Sequence, residues 1–338
     1  MNEIQVTELL GDGISGELRE SLYTVMDVLP LKFRMIPFDL SLSNREAGDR
    51  YLFDRVVESM KETRLAVKYP TVTAGSSPNA IIRRMCNFSV ILRPVISIKG
   101  IKSNFKEEVF LHIVRVATGG TYDDPGRMIG KDAAVSIRIV ERDPCRQAAR
   151  YAFDFARNKG LGVTSSSKHT IQKATDGLFQ AVVESVHKNY PGIPYKVELF
   201  DALLAKIILK PEDYEVVLVL NEYGDFLSDM ASGLIGSIGT GASGNFSFNE
   251  DDSVNIAMFD PAGGTAPDIA GQNKCNPTAI LLAFGMLLDH INRYDLGHEL
   301  RLALLSAIAD GQCTRDIGGK LGTREFAAVI AERLKGSF

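Results

Sequence analysis

The chain has 338 residues, a length sufficient for two domains or for one large α/β body with a second lobe. Its composition, 45% hydrophobic and 24% charged, is ordinary for a soluble globular protein. The sequence contains no run of roughly eighteen apolar residues, so we predict no transmembrane segment. A net charge of −4 argues against nucleic-acid binding, and four scattered cysteines argue against a disulfide framework or a zinc site. The N-terminus lacks the basic segment of a secretory signal, so we expect a cytoplasmic protein with neither a membrane nor a nucleic-acid partner.

Strand and helix patterns alternate along the chain. The predicted elements are, in chain order, strand 4–10, a helix from the turn 11–13 to about Leu29, helix 53–64, strand 65–69, helix 143–160, strand 161–164, helix 169–189, strand 214–220 and helix 225–234. Hairpin-like strands are indicated near 110–140, and two or three further helices follow Pro277. This alternation predicts an α/β fold in which a mixed sheet is flanked by helices.

The turn after the first predicted strand has the glycine spacing of a dinucleotide-binding motif. Residues 11–16, Gly-Asp-Gly-Ile-Ser-Gly, fit the G-x-G-x-x-G pattern. Asp12 and Ser15 are unusual in such a loop, and no acidic residue ends a second strand at the expected place. The motif alone therefore gives little support for a Rossmann domain.

A basic stretch without acidic residues extends from Thr63 to Lys106. Its cations are Arg64, Lys68, Arg83, Arg84, Arg93, Lys99, Lys102 and Lys106. Ser77 and Asn79 precede Arg83 within this stretch, and hydroxyl, amide and guanidinium groups of this kind hold carboxylates. The stretch indicates either a pocket for a small polyanion or a solvated positive face, and its Ser77 segment is alternatively a loop followed by a basic helix.

Asp225 and Asp229 follow an apolar strand and stand four residues apart. This spacing places both carboxylates on one helix face at the carboxyl edge of the sheet, where open α/β proteins bind ligands. Like charges so placed destabilise a helix by about 0.2–0.5 kcal/mol unless a cation lies between them. Oxygen ligands on one face suit Mg²⁺ or Mn²⁺, and a solvated acidic face is the alternative.

A glycine-rich loop over 260–271 leads to Asn276 and Pro277, where a helix is predicted to begin. Its sequence is Asp-Pro-Ala-Gly-Gly-Thr-Ala-Pro-Asp-Ile-Ala-Gly. Backbone amides of such a loop can approach a cofactor closely, and Asp268 can accept hydrogen bonds from a pair of ribose hydroxyls. An ordinary structural turn is the alternative.

These segments, in this order and spacing, resemble the isocitrate and isopropylmalate dehydrogenase family, and the similarity extends from Gly11 to Thr323. Asn-x-Tyr-Gly-Asp-x-Leu-Ser-Asp and Thr-Ala-Pro-Asp-x-Ala-Gly are its most specific motifs, and Ser-x-Asn-x-x-Ile-Arg resembles the isocitrate-type substrate loop. The resemblance implies the α/β fold of that family. A large cofactor-binding domain would comprise 1–98 and 237–338, and a smaller domain, 99–236, would hold the dimer interface and the metal and catalytic residues.

The resemblance also implies a role for each matched residue. Tyr122 and Lys168 match the catalytic tyrosine and lysine, and this lysine serves the site of the partner subunit in a homodimer with shared active sites. The implied ligands of Mg²⁺ or Mn²⁺ are Asp225, Asp229 and Asp201 of the partner subunit. The implied substrate contacts are Ser77, Asn79, Arg83, Arg93 and Arg115. The implied NAD contacts are Thr73, Gly263, Gly264, Thr265, Ala266, Asp268, Ile269 and Asn276.

Asp268 followed by Ile269 resembles the NAD-using members of the family, because a 2′-phosphate would meet Asp268 as a like charge. Three positions depart from the family pattern. Gly263 stands where histidine is usual, Val116 where glutamate is usual, and Thr170 where asparagine is usual. The first departure removes an adenine-side contact and the last a nicotinamide contact.

The activity that the resemblance implies is metal-dependent oxidative decarboxylation of isocitrate, a hydroxy-tricarboxylate of the tricarboxylic acid cycle, to 2-oxoglutarate with reduction of NAD. Lys168 would help remove the substrate's hydroxyl proton as hydride leaves, and Tyr122 would protonate the carbon that loses CO₂. Two alternatives stay open. One is the same chemistry on homoisocitrate, isopropylmalate, tartrate or an analogue, and the other is a non-catalytic regulatory subunit.

Overall fold

The structure is a computed structural model that describes residues 3–75, 77–105, 108–236 and 238–337. Its strands are β1 Ile4–Leu10, β2 Phe33–Asp39, β3 Leu65–Lys68, β4 Val90–Ile96, β5 Phe110–Val116, β6 Arg127–Ile129, β7 Ala133–Val135, β8 Val163–Ser167, β9 Tyr195–Leu199, β10 Val216–Val219, β11 Ala242–Phe248 and β12 Val254–Pro261. Its α-helices are α1 Ser15–Met26, α2 Leu42–Glu46, α3 Leu52–Thr63, α4 Pro78–Met85, α5 Arg142–Lys159, α6 Thr175–His187, α7 Phe200–Leu209, α8 Asn221–Leu234, α9 Thr278–His290, α10 Tyr294–Ala309 and α11 Thr323–Lys335.

One ten-stranded sheet runs through the molecule in the order β2-β1-β3-β12-β11-β4-β5-β10-β8-β9. At both ends of the sheet neighbouring strands run parallel, since β1 pairs in this way with β2 and β3, and β10 with β5 and β8. The middle is antiparallel, because β11 pairs with β12 and β4, and β4 pairs with β5. The predicted mixed sheet is therefore confirmed, and β6 and β7 form a separate hairpin within the predicted hairpin region.

The two faces of the sheet are covered differently. On one face a single large apolar core includes residues from α1, α5, α6 and α9 to α11. On the other face two smaller cores lie apart, one under α3 and α4 and the other under α7 and α8. Along β4, Ile91 belongs to the first small core and Val95 to the second, and Arg93 lies between them on the same face because side chains alternate along a strand. The gap between the two cores is where the polar residues of β4 and β5 are free to form a site.

The predicted elements agree with the structure in type, and most differ only at their ends. The first strand has the predicted bounds, whereas α1 ends at Met26, three residues before Leu29. The helix predicted over 169–189 begins only at Thr175, and the helix predicted to begin at Asp225 begins at Asn221. The strand predicted over 161–164 lies at Val163–Ser167, and β2, β4, β9, β11 and β12 were not predicted.

The strands divide between the two domains that the sequence predicts. Residues 99–236 supply one end of the sheet, β5-β10-β8-β9, whereas 1–98 and 237–338 supply β2-β1-β3-β12-β11-β4. The sheet itself is continuous across β4 and β5. The domain boundaries stay a prediction that this segregation supports. Within the described part of the chain, no helix has the length and apolarity needed to cross a bilayer.

Candidate active site

A cleft of about 730 Å³ opens above β4 and β5, in the gap between the two small cores. The cleft is lined by seven of the residues predicted to contact substrate, to bind metal or to transfer a proton. They are Ser77, Asn79, Arg83, Arg93, Arg115, Tyr122 and Asp225. They come from α4, β4, β5, α8 and the loop after β5. The structure therefore brings together groups that are separated by as many as 148 positions in the sequence (225 − 77).

Asp225, on α8, is the central carboxylate of the cleft. Its Oδ1 accepts a short hydrogen bond from Arg115 and lies 3.3 Å from an Nη of Arg93, and its Oδ2 accepts a hydrogen bond of 3.1 Å from the Tyr122 hydroxyl. Burial opposes ionisation of Asp225, but the guanidiniums of Arg115 and Arg93 outweigh it and lower the pKa of this carboxyl. Asp225 is therefore ionised at neutral pH.

Asp229 lies one helical turn beyond Asp225 and shares its cation. An Nη of Arg93 is 3.4 Å from Asp229 Oδ1 and donates a hydrogen bond of 2.7 Å to Ser228 Oγ. Although the side chain of Asp229 is exposed, partial desolvation of its carboxyl beside the cleft raises its pKa, and the charge of Asp225 adds to this shift. A cation thus lies against both carboxylates, as the helix spacing predicts, and in this structure that cation is a guanidinium.

Arg115 is held in place by α8 and is only 2% exposed. Its Nε donates a hydrogen bond of 2.9 Å to Asn221 Oδ1. A Cβ on Gly224 would lie 2.7 Å from Arg115 Cβ and Cγ, so a glycine is required for α8 to approach β5 this closely. Burial lowers the pKa of Arg115, and repulsion from Arg93 and Arg83 adds to the shift, so a bound anion would stabilise its charge.

The predicted substrate loop leads directly into α4. Ser77 is the N-cap of α4 and Pro78 occupies the first turn, a favourable start for a helix. Asn79 Oδ1, Ser89 Oγ and Arg93 Nε are buried and have no hydrogen-bond partner among the described residues. All three residues line the cleft, so a polar ligand there would satisfy atoms that the protein leaves unpaired.

Tyr122 lies at the mouth of the cleft and is 47% exposed. Burial of its hydroxyl end and the charge of Asp225 raise the pKa of Tyr122 to about 12. Its loop is fixed at Gly119, whose backbone N–H donates to Asp123 Oδ2 and whose carbonyl accepts from Asn221 Nδ2, both at 2.9 Å. The tyrosine therefore holds its proton at neutral pH and points that proton at Asp225.

Lys168 and Asp201 do not line this cleft. Lys168 follows β8 and Asp201 lies near the start of α7, and Lys168 Nζ is 2.6 Å from Asp201 Oδ1. A hydrogen bond from Lys168 lowers the pKa of Asp201. Within one chain, the described residues contain no group of three His, Cys, Asp or Glu side chains arranged to hold a metal ion. Asp225 and Asp229 offer two hard oxygen donors that fit Mg²⁺ or Mn²⁺, and the third implied ligand, Asp201 of the partner subunit, stays a prediction.

The predicted cofactor loop follows β12 and packs against the turn after β1. Ile14 donates its backbone N–H to Thr265 O at 3.0 Å, and Gly13, with φ of 59°, leaves no room for a side chain beside Thr265 O. Of the three glycines in the G-x-G-x-x-G pattern, Gly13 thus serves this loop contact, whereas Gly11 packs against Pro70 O and Gly16 has open space where a Cβ would stand. Val72, next to Thr73, donates its backbone N–H to Asp12 Oδ2, so the loop of Thr73 is joined to the same turn.

The far end of the cofactor loop carries an unpaired carboxylate. Asp268 is exposed and forms no ion pair among the described residues, and Ile269 packs on the large core. Gly263 and Gly264 have open space where a Cβ would stand. Asn276 bonds Asp316 Oδ2 through Nδ2 at 2.9 Å and the Thr278 N–H through Oδ1. An open glycine segment followed by a free carboxylate fits a dinucleotide, and the individual contacts stay predictions.

Several residues of the cleft were missed at the sequence level. Asn221 positions both Arg115 and the loop of Tyr122, and it opens the segment that carries Asp225, so its place in that motif was an available signal. Ser89 had no such signal, because it lies in the short connection between α4 and β4, which has no recognisable motif.

Comparisons with known proteins agree with this geometry. Residues 5–330 match the family described as isocitrate/isopropylmalate dehydrogenase. The chain is 33% identical to the 3-isopropylmalate dehydrogenase of Methanothermobacter thermautotrophicus, over 99% of this chain and 100% of that protein. It is 31% identical to the α subunit of the mitochondrial NAD isocitrate dehydrogenase of Rattus norvegicus, over 98% of this chain and 90% of that protein.

A solved structure gives the same result for the fold. The crystal structure of isocitrate dehydrogenase from Methylococcus capsulatus superposes with a TM-score of 0.91 at 31% sequence identity, covering 98% of this chain and 99% of that chain. The predicted fold, a mixed sheet flanked by helices as in these dehydrogenases, is confirmed. The chain belongs to the isocitrate/isopropylmalate dehydrogenase family.

Proposed function

We propose that this chain catalyses the metal-dependent oxidative decarboxylation of isocitrate to 2-oxoglutarate, with NAD as the hydride acceptor. The observation that carries the proposal is the convergence of three guanidiniums, Arg83, Arg93 and Arg115, in one cleft with Tyr122 and Asp225. Guanidiniums form planar two-pronged hydrogen bonds with carboxylates, and isocitrate has three carboxylates.

The unpaired polar atoms of the cleft support isocitrate over isopropylmalate. Asn79 Oδ1 and Ser89 Oγ are buried and have no partner in the described part of the chain, and Ser77 and Arg83 lie in the same cleft. An isopropyl group against these atoms would leave them unsatisfied, whereas a carboxylate can accept from the Ser89 hydroxyl and a water bound to that carboxylate can donate to Asn79 Oδ1. Each unsatisfied buried polar group costs about 1–3 kcal/mol, enough to discriminate between the two substrates by roughly tenfold or more.

Tyr122 and Lys168 are the two proposed proton-transfer groups. Tyr122 holds a proton at its phenolic oxygen and delivers it to the carbon that loses CO₂, while Asp225 orients the hydroxyl. Lys168 of the partner subunit receives the proton of the substrate hydroxyl at Nζ. Asp225, Asp229 and Asp201 of the partner subunit would hold the Mg²⁺ or Mn²⁺, which supplies polarisation of the substrate hydroxyl and carbonyl. The loop 263–269, Thr73 and Asn276 would hold NAD, which accepts the hydride.

This proposal includes a homodimer, because Lys168 and Asp201 lie outside the cleft of their own chain. We also propose that the protein works in the cytoplasm. Its four cysteines, Cys86, Cys145, Cys275 and Cys313, are all buried and unpaired, as suits a reducing compartment.

The similarity to a 3-isopropylmalate dehydrogenase at 33% identity favours a second candidate, the same chemistry on isopropylmalate. A panel of isocitrate, homoisocitrate, isopropylmalate and tartrate, each with Mg²⁺ and NAD or NADP, separates the candidates. We expect the highest kcat/KM with isocitrate and NAD. A kcat/KM for isopropylmalate equal to or above that for isocitrate would overturn the choice of substrate. Absence of turnover with every acid would indicate a regulatory subunit.

A further inference from the structure

A buried ionic cluster lies behind the cleft and contains residues to which neither the motifs nor the proposed function gives a role. Arg138, after β7, is 3.2 Å from Asp176 Oδ1 and 3.3 Å from Glu222 Oε1. The side chain of Asp176 is fully buried, that of Glu222 is 7% exposed, and that of Arg138 is 15% exposed. Tyr223 completes the cluster, because Arg138 donates to its hydroxyl and this hydroxyl donates to Asp176 Oδ2, both at 3.0 Å.

The cluster contacts two segments of the chain, and each set of contacts is called an arm. The first arm, from Arg138 through Glu222, reaches the loop that carries Tyr122. Glu222 Oε1 accepts the backbone N–H of Thr121 at 3.2 Å. Gly120, with φ of 74°, packs so closely that any Cβ there would overlap the Glu222 carboxylate. Arg138 also reaches this loop through its backbone neighbour, since Ile139 and Gly120 exchange both of their backbone hydrogen bonds. The position of the tyrosine's loop therefore depends on the cluster.

The other arm reaches the segment that carries Lys168. Asp176 Oδ2 accepts the backbone N–H of Lys168 at 2.6 Å. The ring of Tyr223 stacks on Phe200, with centroids 4.3 Å apart, and Phe200 directly precedes Asp201. Lys168 and Asp201 are themselves paired, so the cluster holds the whole group that the chain would give to its partner's site.

We propose that Arg138 is a positioning residue that fixes, through Glu222 and Asp176, the Tyr122 loop of one active site and the Lys168 segment of the other. Both arms end on one guanidinium, and removing it takes the shared counter-charge from two buried carboxylates. Their repulsion would move both segments at once. The catalytic part of this inference rests on the proposed function, in which Tyr122 and Lys168 are the proton-transfer groups.

The first experiment measures amide hydrogen exchange in Arg138→Met and does not require turnover. We expect exchange in segments 117–123 and 164–176 to accelerate together by about tenfold or more. The matched control is Arg19→Met, which also strips a guanidinium from a fully buried carboxylate, Glu8, that is bonded to tyrosine hydroxyls. This control should leave both segments at their wild-type rates.

Tyr223→Phe serves as a milder second variant if Arg138→Met folds poorly. It removes only the hydroxyl that joins Arg138 to Asp176, and it keeps the ring on Phe200. We expect a smaller acceleration in the same two segments. Glu222→Gln keeps an acceptor for Thr121 and removes the charge, so it should disturb 117–123 less than Glu222→Leu does.

Kinetics test whether the cluster positions the reacting groups or only supports the fold. Neither arm touches the carboxylate-binding arginines, so Arg138→Met should lower kcat by about tenfold or more and change the substrate KM by less than about threefold. Unchanged exchange in either segment overturns the inference, whatever the activity. Accelerated exchange with unchanged kcat also overturns it. If wild type turns over no hydroxy acid while both segments accelerate together, the proposed function fails and the structural coupling stands.

Discussion

At the scale of single residues, the cleft is organised by one carboxylate. Asp225 contacts Arg93, Arg115 and Tyr122, and the two guanidiniums keep it ionised although it is partly buried. Its charge in turn helps to raise the pKa of Tyr122 to about 12. A phenol that keeps its proton at neutral pH is suited to be the acid that protonates a carbon, and it cannot act as a base there without a further cation.

This assignment predicts the effect of Tyr122→Phe. The variant keeps the ring beside Arg115 and loses only the hydroxyl, so kcat should fall by about 100-fold or more while the substrate KM changes little. The melting temperature should not change, because the side chain is about half exposed. Tyr294→Phe, at an exposed tyrosine on α10, is the matched control and should behave as wild type. A kcat within tenfold of wild type would remove Tyr122 from the mechanism.

The carboxylate of Asp268 leads us to predict a preference for NAD over NADP. This exposed carboxylate forms no ion pair among the described residues, so it is free to bond two ribose hydroxyls and would repel a 2′-phosphate. We expect kcat/KM to be at least about tenfold higher with NAD than with NADP, which requires only about 1.4 kcal/mol. Asp268→Lys combined with Ile269→Tyr should reverse the preference.

Gly263→His supplies the control for this prediction. The histidine enters open space and restores the residue usual at this position, so it should improve binding of both cofactors without changing their ratio. Equal use of NAD and NADP by wild type, or an unchanged ratio in the double variant, would contradict the role of Asp268.

At the scale of elements, sequence patterns identified the helix of the paired aspartates but not where it begins. The spacing correctly placed Asp225 and Asp229 on one face, as their shared contact with Arg93 shows. The predicted start at Asp225 was wrong, since the helix begins four residues earlier and includes Gly224. Gly224 lies inside α8, where the lack of a side chain admits Arg115. That contact joins positions 109 residues apart (224 − 115), so no local sequence pattern predicts it.

The late start of α6 has a similar cause. The predicted helix began at His169, but Asp176 accepts the Lys168 N–H and holds 168–174 in turns. The positive charge of the cleft could be inferred from the basic stretch, and the residues of the cleft could be assigned from the family resemblance. The ionic cluster at Arg138 could not, since Arg138, Asp176 and Glu222 meet only in the folded chain.

The acidic face of α8 predicts that a divalent cation stabilises the protein. Mn²⁺ at about 100 times its Kd should add about 2.7 kcal/mol to the free energy of unfolding, a rise in Tm of roughly 4 °C. Asp229→Asn should abolish most of this shift, because Asp229 is 65% exposed and contributes little else. Asp310→Asn is the matched control: an aspartate 62% exposed and paired with one arginine, away from the cleft, which should leave the shift intact. An equal Mn²⁺ shift in Asp229→Asn would place the metal elsewhere.

At the scale of the whole molecule, the residues predicted to act in catalysis and metal binding lie in two separate places on one chain. The cleft contains the guanidiniums, Tyr122 and Asp225, whereas Lys168 and Asp201 form their own pair outside it. The pair projects from the carboxyl ends of β8 and β9, adjacent parallel strands at the edge of the sheet. Groups at that edge are available to a second copy of the chain, and the proposed chemistry needs them in its cleft.

Mixed dimers test this directly. Lys168→Met should inactivate the site of the partner, and Arg93→Ala should inactivate the site of its own chain, so each variant alone should be inactive. A dimer of one chain of each kind has both defects in one site and none in the other. Random exchange between equal amounts of the two variants should therefore restore about a quarter of wild-type activity. The control is the double variant Lys168→Met with Arg93→Ala mixed with Lys168→Met, in which every site lacks the lysine and activity should stay absent. If complete subunit exchange, verified by mass, restored nothing in the first mixture, Lys168 would have to act within its own chain, and the shared site would be wrong.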